Sequence, residues 1–127
     1  EIKDYKLFNK FIHKAYKHSV ILSQKSKMYE DEQYFILVNI FIGDFHKIEG
    51  RFKSAYVFYL IAMKRINKIY KEMPNEGIRN DLILVYNHLS EVAKVLKRTK
   101  DKIKWDEIIQ ELQKESAEFK KLIDEAL

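Results

Sequence analysis

The stretch YFILVNIFIGDFHKIEGRFKSAYVFYLIAM, residues 34–63, decides the fold. Its first part, Tyr34 to Ile42, is apolar at every position except Asn39. A helix apolar nearly all round has to be covered on several sides, so this segment is expected to be the most buried of the chain. Gly50 interrupts the pattern, and a lone glycine between helical runs commonly supplies the left-handed residue that ends the first. Beyond it Phe52, Ala55, Phe58, Tyr59, Ala62, Met63, Ile66 and Ile69 recur at helical spacing. The stretch reads as an antiparallel helical hairpin against which the other segments pack.

Working outward, Phe8, Phe11, Ile12, Ala15, Ser19 and Leu22, with Tyr5 before them, predict an amphipathic helix over about residues 4–27. Its other face carries Lys3, Lys6, Lys10, Lys14 and Lys17 as one stripe. The segment from Ser26 to Asp31 breaks the pattern, and Glu30, Asp31 and Glu32 suit the positive N-terminal end of the next helix. Downstream, Met73-Pro74-Asn75-Glu76-Gly77 reads as a loop. A fourth helix is predicted to start near Ile78 to Asp81 and to carry Leu82, Val85, Tyr86, Leu89, Val92, Ala93 and Leu96 on one side. A basic linker, Lys97 to Lys104, leads to a fifth helix with Trp105, Ile108, Ile109, Leu112, Ser116, Phe119, Ile123 and Ala126 on its packed face.

Composition agrees with this all-α reading. Three glycines and one proline in 127 residues are too few for the turns a sheet needs. That length suits a single domain spanning 1–127, able to bury roughly two thirds of its unfolded surface without a disulfide or metal. Cysteine is absent, which suits a reducing, cytoplasmic setting and removes thiolate chemistry. No signal-peptide pattern is present, and no apolar run approaches the ~20 residues that span a bilayer. A chain that begins at Glu1 reads as a domain cut from a longer protein or a trimmed one. The net charge of +5 favours acidic partners.

The sequence offers no catalytic constellation. None of His13, His18, His46 and His88 has a glutamate three residues before it, and His13 and His18 lie five apart, on different helix faces. No HExxH, phosphate loop or GxSxG occurs. A non-enzymatic protein without metal or cofactor is expected, with His46 packed beside Phe45 and Trp105 pinning the last helix in place. Asn39 stands out, because an amide on an apolar helix must find partners or cost ~1–3 kcal/mol. It bonds within the fold, or it faces a groove where it pairs with a peptide backbone.

Residues Ile36 to Ile69 resemble one tetratricopeptide repeat, through Ile42-Gly43, Gly50 at the turn, and Ala55, Tyr59 and Ala62. Asn39, His46 and Asn67 depart from that pattern. Tyr34 to Arg98 is also similar to the three-helix microtubule-interacting-and-trafficking domain, in GRFKSAYVFYLIAMKRI followed by NHLSEVAKVLKR. Both families bind short peptide segments. The first resemblance implies five helices stacked as right-handed antiparallel hairpins, with a ligand groove lined by first helices. It points to Asn39, Ile40, Asp44 and Lys47 on one hairpin and to Asn87, Glu91 and Lys94 on the other.

The expected function is a protein-interaction or scaffold module that holds a short, acidic partner segment in a helix-lined groove. A homodimer is a variant, because a short stack leaves an apolar end to cover. The alternative is a nucleic-acid-binding domain in which Lys6, Lys10, Lys14 and Lys17 track phosphates. Lysine far outnumbers arginine, so bidentate recognition of bases or phosphates is not the basis of that alternative.

Overall fold

The computed structural model describes residues 2–25 and 29–126, and only the backbone of 2–5, 8, 19–25, 29 and 30. The expected roles of Lys3, Tyr5, Phe8, Ser19, Leu22 and Glu30, and the break at 26–28, therefore lie outside the described side chains and residues. The helices are α1 (Ile2–Lys25), α2 (Tyr29–Ile48), α3 (Phe52–Glu72), α4 (Glu76–Val95) and α5 (Thr99–Ala126). No strand occurs among the described residues. The protein is all-α. Its contacts group it into two compact units, 1–65 and 66–127, with the division falling inside α3.

In the first unit, Ile12 of α1 joins Val38, Ile42 and Phe45 of α2 in a buried cluster, with Ala15, Tyr16 and Phe58 packed against it. The Tyr16 ring meets Phe35 and Phe58 edge-on, at centroid distances of 6.4 and 5.5 Å. The hairpin expected from the sequence forms as α2, a turn and α3. Gly50 has φ +77°, and the Arg51 N–H donates to His46 O (2.8 Å) while the Gly50 N–H donates to Lys47 O (3.0 Å). That paired 6→1 and 5→2 bonding satisfies two carbonyls that a helix end otherwise leaves open. Further along, Arg65 grips both carboxylate oxygens of Glu32 at 2.7 and 2.9 Å, with its guanidinium 4.8 Å from the Phe35 ring centre. The fork geometry ties α3 to the start of α2.

α2 is not sheathed on every side, as its composition suggested. Leu37, Phe41 and Ile48 are 55%, 62% and 80% exposed, and Tyr34 is also open. Among the described residues α4 is the most extensively buried helix, with Ile78, Leu82, Val85, Tyr86, Leu89, Val92 and Ala93 inside the second unit.

That second unit corrects two boundaries. α4 starts at Glu76, earlier than expected, because Asn75 in extended conformation accepts a hydrogen bond from the Ile78 N–H at 2.9 Å and so caps the helix. The predicted loop contained the cap. The predicted basic linker shrinks to the turn around Leu96, Lys97 and Arg98, since α5 begins at Thr99 and takes in Lys100, Lys102 and Lys104. Lys97 closes α4 as Gly50 closes α2: its φ is +59°, its N–H donates to Lys94 O at 3.2 Å, and the Arg98 N–H donates to Ala93 O at 2.8 Å. A side chain other than glycine in this region costs about 1–2 kcal/mol. Lys97→Gly removes that cost but enlarges the unfolded ensemble. It is expected to stabilise by about 0.5–1 kcal/mol in urea unfolding.

The start of α5 is held tightly. Trp105 is buried against Tyr86, with ring centres 5.5 Å apart, and Asp106 accepts from Ser90 Oγ and from Lys102 Nζ at 2.5 Å each. Those two donors, Lys102 first, hold the Asp106 carboxyl below the usual carboxylate range. Burial ends early, however, although Tyr70 still donates to Glu115 and the Arg79 guanidinium lies 5.8 Å from the Phe119 ring centre. Only Trp105, Ile109 and Leu112 of α5 are buried, and Phe119 and Ile123, expected on the packed face, are 40% and 42% exposed.

Candidate binding groove

Among the described residues, an apolar surface hollow lies in the first unit. Phe11, Ile12 and Ala15 of α1 and Tyr34, Leu37, Val38 and Phe41 of α2 line a hollow of about 320 Å³ with almost wholly apolar walls. Ile12 and Val38 form its floor, because both belong to the buried cluster. Phe11, Leu37 and Phe41 form open walls, 68%, 55% and 62% exposed. Tyr34, Leu37, Phe41 and Ile48 are spaced three, four and seven apart, so they share one side of α2. Val38, Ile42 and Phe45 face the buried cluster beside that side.

The groove has a charged edge. Leu7, Phe11, Lys14 and His18 follow one another four, three and four apart along α1, so the exposed apolar residues run into a cation. Lys6, Lys10 and Lys17 are also exposed, but their spacing puts them on the side of α1 turned away from Ile12 and Ala15. His18 closes one end, its ring 6.2 Å from that of Tyr34. Of the lysines singled out for nucleic acid, Lys14 alone shares the side of Phe11. Apolar walls suit the apolar face of an amphipathic segment better than a bare phosphate chain.

The seven groove residues expected from the sequence divide between the units. Asn39 has no exposed surface; its Nδ2 donates to Phe35 O, one turn back, at 2.8 Å, and among the described residues no donor reaches its Oδ1. It lines no surface. Asp44 is half-buried and accepts a hydrogen bond from the Tyr59 hydroxyl, so it fastens α2 to α3. Ile40 and Lys47 are also half-buried. In the second unit Asn87, Glu91 and Lys94 are exposed on one face of α4.

His46 packs as expected of a structural residue. Its ring stacks on Phe58 at 5.5 Å, and its Nδ1 accepts from Arg51 Nε at 2.8 Å. Burial first, then the charges of Arg51 and His13, push its pKa below 6.5. The neutral ring is thus favoured by folding. Its contribution is complete above pH 6.5 and is lost as pH falls through the lower folded value. Melting temperature should therefore fall less between pH 7.5 and 5 in His46→Gln, whose side-chain oxygen can still accept from Arg51, than in the unsubstituted chain. Parallel profiles would contradict this.

The groove went unread in the sequence because the apolar circumference of α2 suggests burial all round. The signal was present in the Tyr34, Leu37, Phe41 and Ile48 spacing, which marks a second apolar stripe beside the core stripe.

Fold and site together define an all-α protein with an open apolar groove between α1 and α2. Among the described residues no cluster of three or more His, Asp or Glu is placed to hold a metal ion, and no helix is long and apolar enough to cross a membrane. No protein-family model matches the chain, and no curated protein or solved structure matches it either.

Proposed function

We propose that the chain is a non-catalytic interaction module that receives an amphipathic helical segment of a partner protein, apolar on one face and acidic beside it, in the α1–α2 groove. The observation that carries this reading is the exposure of Phe11, Leu37 and Phe41 around one apolar hollow. Exposed apolar surface concentrated in this way marks interaction sites. A helix laid into such a groove buries its i, i+3, i+4 and i+7 positions, and Lys14 beside Phe11, with a net charge of +5, favours an acidic partner. The tetratricopeptide-like reading of the α2–α3 hairpin is part of the proposal. It is supported by the close approach of Gly43 to Tyr59.

The test uses a synthetic amphipathic helix of about 18 residues, five turns, with Leu on one face and Glu on its flanks, beside a version with Lys for Glu. The acidic peptide should bind, and Phe41→Glu should weaken it by at least about tenfold. Phe41 is exposed, so the substitution leaves the core intact. Equal binding of both peptides, or loss only on Asn87→Ala, Glu91→Ala and Lys94→Ala, would overturn this placement, and the latter would move the site to α4.

A further inference from the structure

Arg79, in the first turn of α4, is a charged side chain that the second unit buries. Its Nε donates to the Tyr70 hydroxyl of α3 at 3.0 Å, and that hydroxyl donates in turn to Glu115 Oε2 of α5 at 2.9 Å. Arg79 Nε lies 3.6 Å from the same carboxylate oxygen. The guanidinium carbon stands 5.8 Å from the ring centres of both Tyr70 and Phe119, within the reach of cation–π attraction. Burial of α5 side chains stops at Leu112, and Glu115 and Phe119 follow it three and seven residues on, along the same side of the helix. The two turns after Leu112 are therefore fastened through Tyr70 and Arg79. Two polar atoms in this region are dry: Arg79 Nη1 and Ser116 Oγ are buried with no hydrogen-bond partner among the described residues. Each forfeits its hydration without return, which offsets part of what the fastening contributes.

We infer that residues 113–126 of α5 form a latched strap, which opens and closes as one unit while the rest of α4 and α5 stays packed. Tyr70 and Arg79 are the catch, and Glu115 and Phe119 are the parts it holds. Opening unwinds α5 after Leu112, gives water access to Arg79 Nη1 and Ser116 Oγ, and leaves Trp105, Ile109 and Leu112 in place. Few holding contacts, weighed against two dehydrated atoms, put this opening at the low end of the range of local stabilities in a fold. The alternative for an exposed helix end is fraying, in which turns are lost stepwise from Ala126 whatever α3 carries at position 70.

Amide hydrogen exchange of the full chain, read residue by residue by NMR, tests this. Amides 116–119 are expected to share one level of protection, at least about tenfold below that of 107–112. Tyr70→Phe removes the bridging hydroxyl from α3 and leaves the sequence of α5 untouched. It should speed exchange at 116–119 by at least about threefold while 107–112 keep their rates. Phe119→Ala should do the same, although alanine is the better helix former and would slow fraying. Leu122→Ala, at a position 65% exposed on the same segment, should leave 116–119 unchanged. Exchange at 116–119 that ignores either Tyr70→Phe or Phe119→Ala, or that slows in the latter, is fraying and overturns the proposal. Equal acceleration at 107–112 also overturns it, because the strap would then have no opening separate from that of its neighbours. So does an effect of Leu122→Ala as large as that of Phe119→Ala.

Discussion

Asn39→Asp is expected to destabilise the first unit by about 3–5 kcal/mol at neutral pH, the cost of an uncompensated buried charge. The position has no exposed surface. Asparagine is tolerated because its Nδ2 donates to Phe35 O at 2.8 Å, although its Oδ1 finds no donor among the described residues. An ionised carboxylate has no hydrogen to give, so it would set oxygen against oxygen at that contact. Protonation restores a donor, and the folded pKa of the new group must therefore lie above its unfolded value of about 3.9. The sign follows. The loss is small below pH 4, grows as pH rises toward the folded pKa, and levels off above it. Urea unfolding at pH 4 and pH 8 reads the difference, with Asn39→Ala as the pH-independent reference. A loss under about 1 kcal/mol at pH 8 would show that water reaches this position.

Gly43→Ala is the second large effect, and two terms of opposite sign decide it. Alanine is favoured over glycine inside a helix by about 1 kcal/mol. A Cβ at position 43, however, would lie 2.7 Å from Cε1 and 2.9 Å from Cδ1 of Tyr59. The ring has nowhere to go, being fully buried and held through its hydroxyl to Asp44. Forcing an extra methyl into a packed contact typically costs about 1–3 kcal/mol, so overlap outweighs propensity and net destabilisation is expected. The melting temperature should drop by several degrees, at roughly 3–6 °C per kcal/mol for a chain of this size. Tyr59→Leu removes the ring and should make Gly43→Ala nearly harmless, a non-additivity expected only of residues in contact. A Gly43→Ala chain as stable as the parent would mean that α2 and α3 can separate at little cost.

Much of the fold was legible because it depends on local rules. Helical spacing and the shortage of glycine and proline pointed to five helices and no sheet. Gly50 read correctly as a left-handed turn because glycine is the residue that adopts that conformation without strain. The linker failed for the converse reason. Lys97 has the same backbone conformation and the same two hydrogen bonds, but no glycine announced it, so Lys100 to Lys104 were read as linker when they belong to α5.

Burial was less legible than helicity. The sequence by itself determined which faces of each helix are apolar, because side-chain direction follows from a period of 3.6 residues. It could not determine which apolar faces are covered, because that depends on which neighbour arrives at each side. Only the tertiary structure decided that Val38, Ile42 and Phe45 meet α1, while Leu37 and Phe41 stay open beside them. It likewise decided that Trp105, Ile109 and Leu112 are buried while Phe119, Leu122 and Ile123 are not. Asn39 shows the same division. Its polarity among apolar neighbours was visible in the sequence and its bond to Phe35 O lies within the helix itself, but its complete burial depends on what packs against that side of α2.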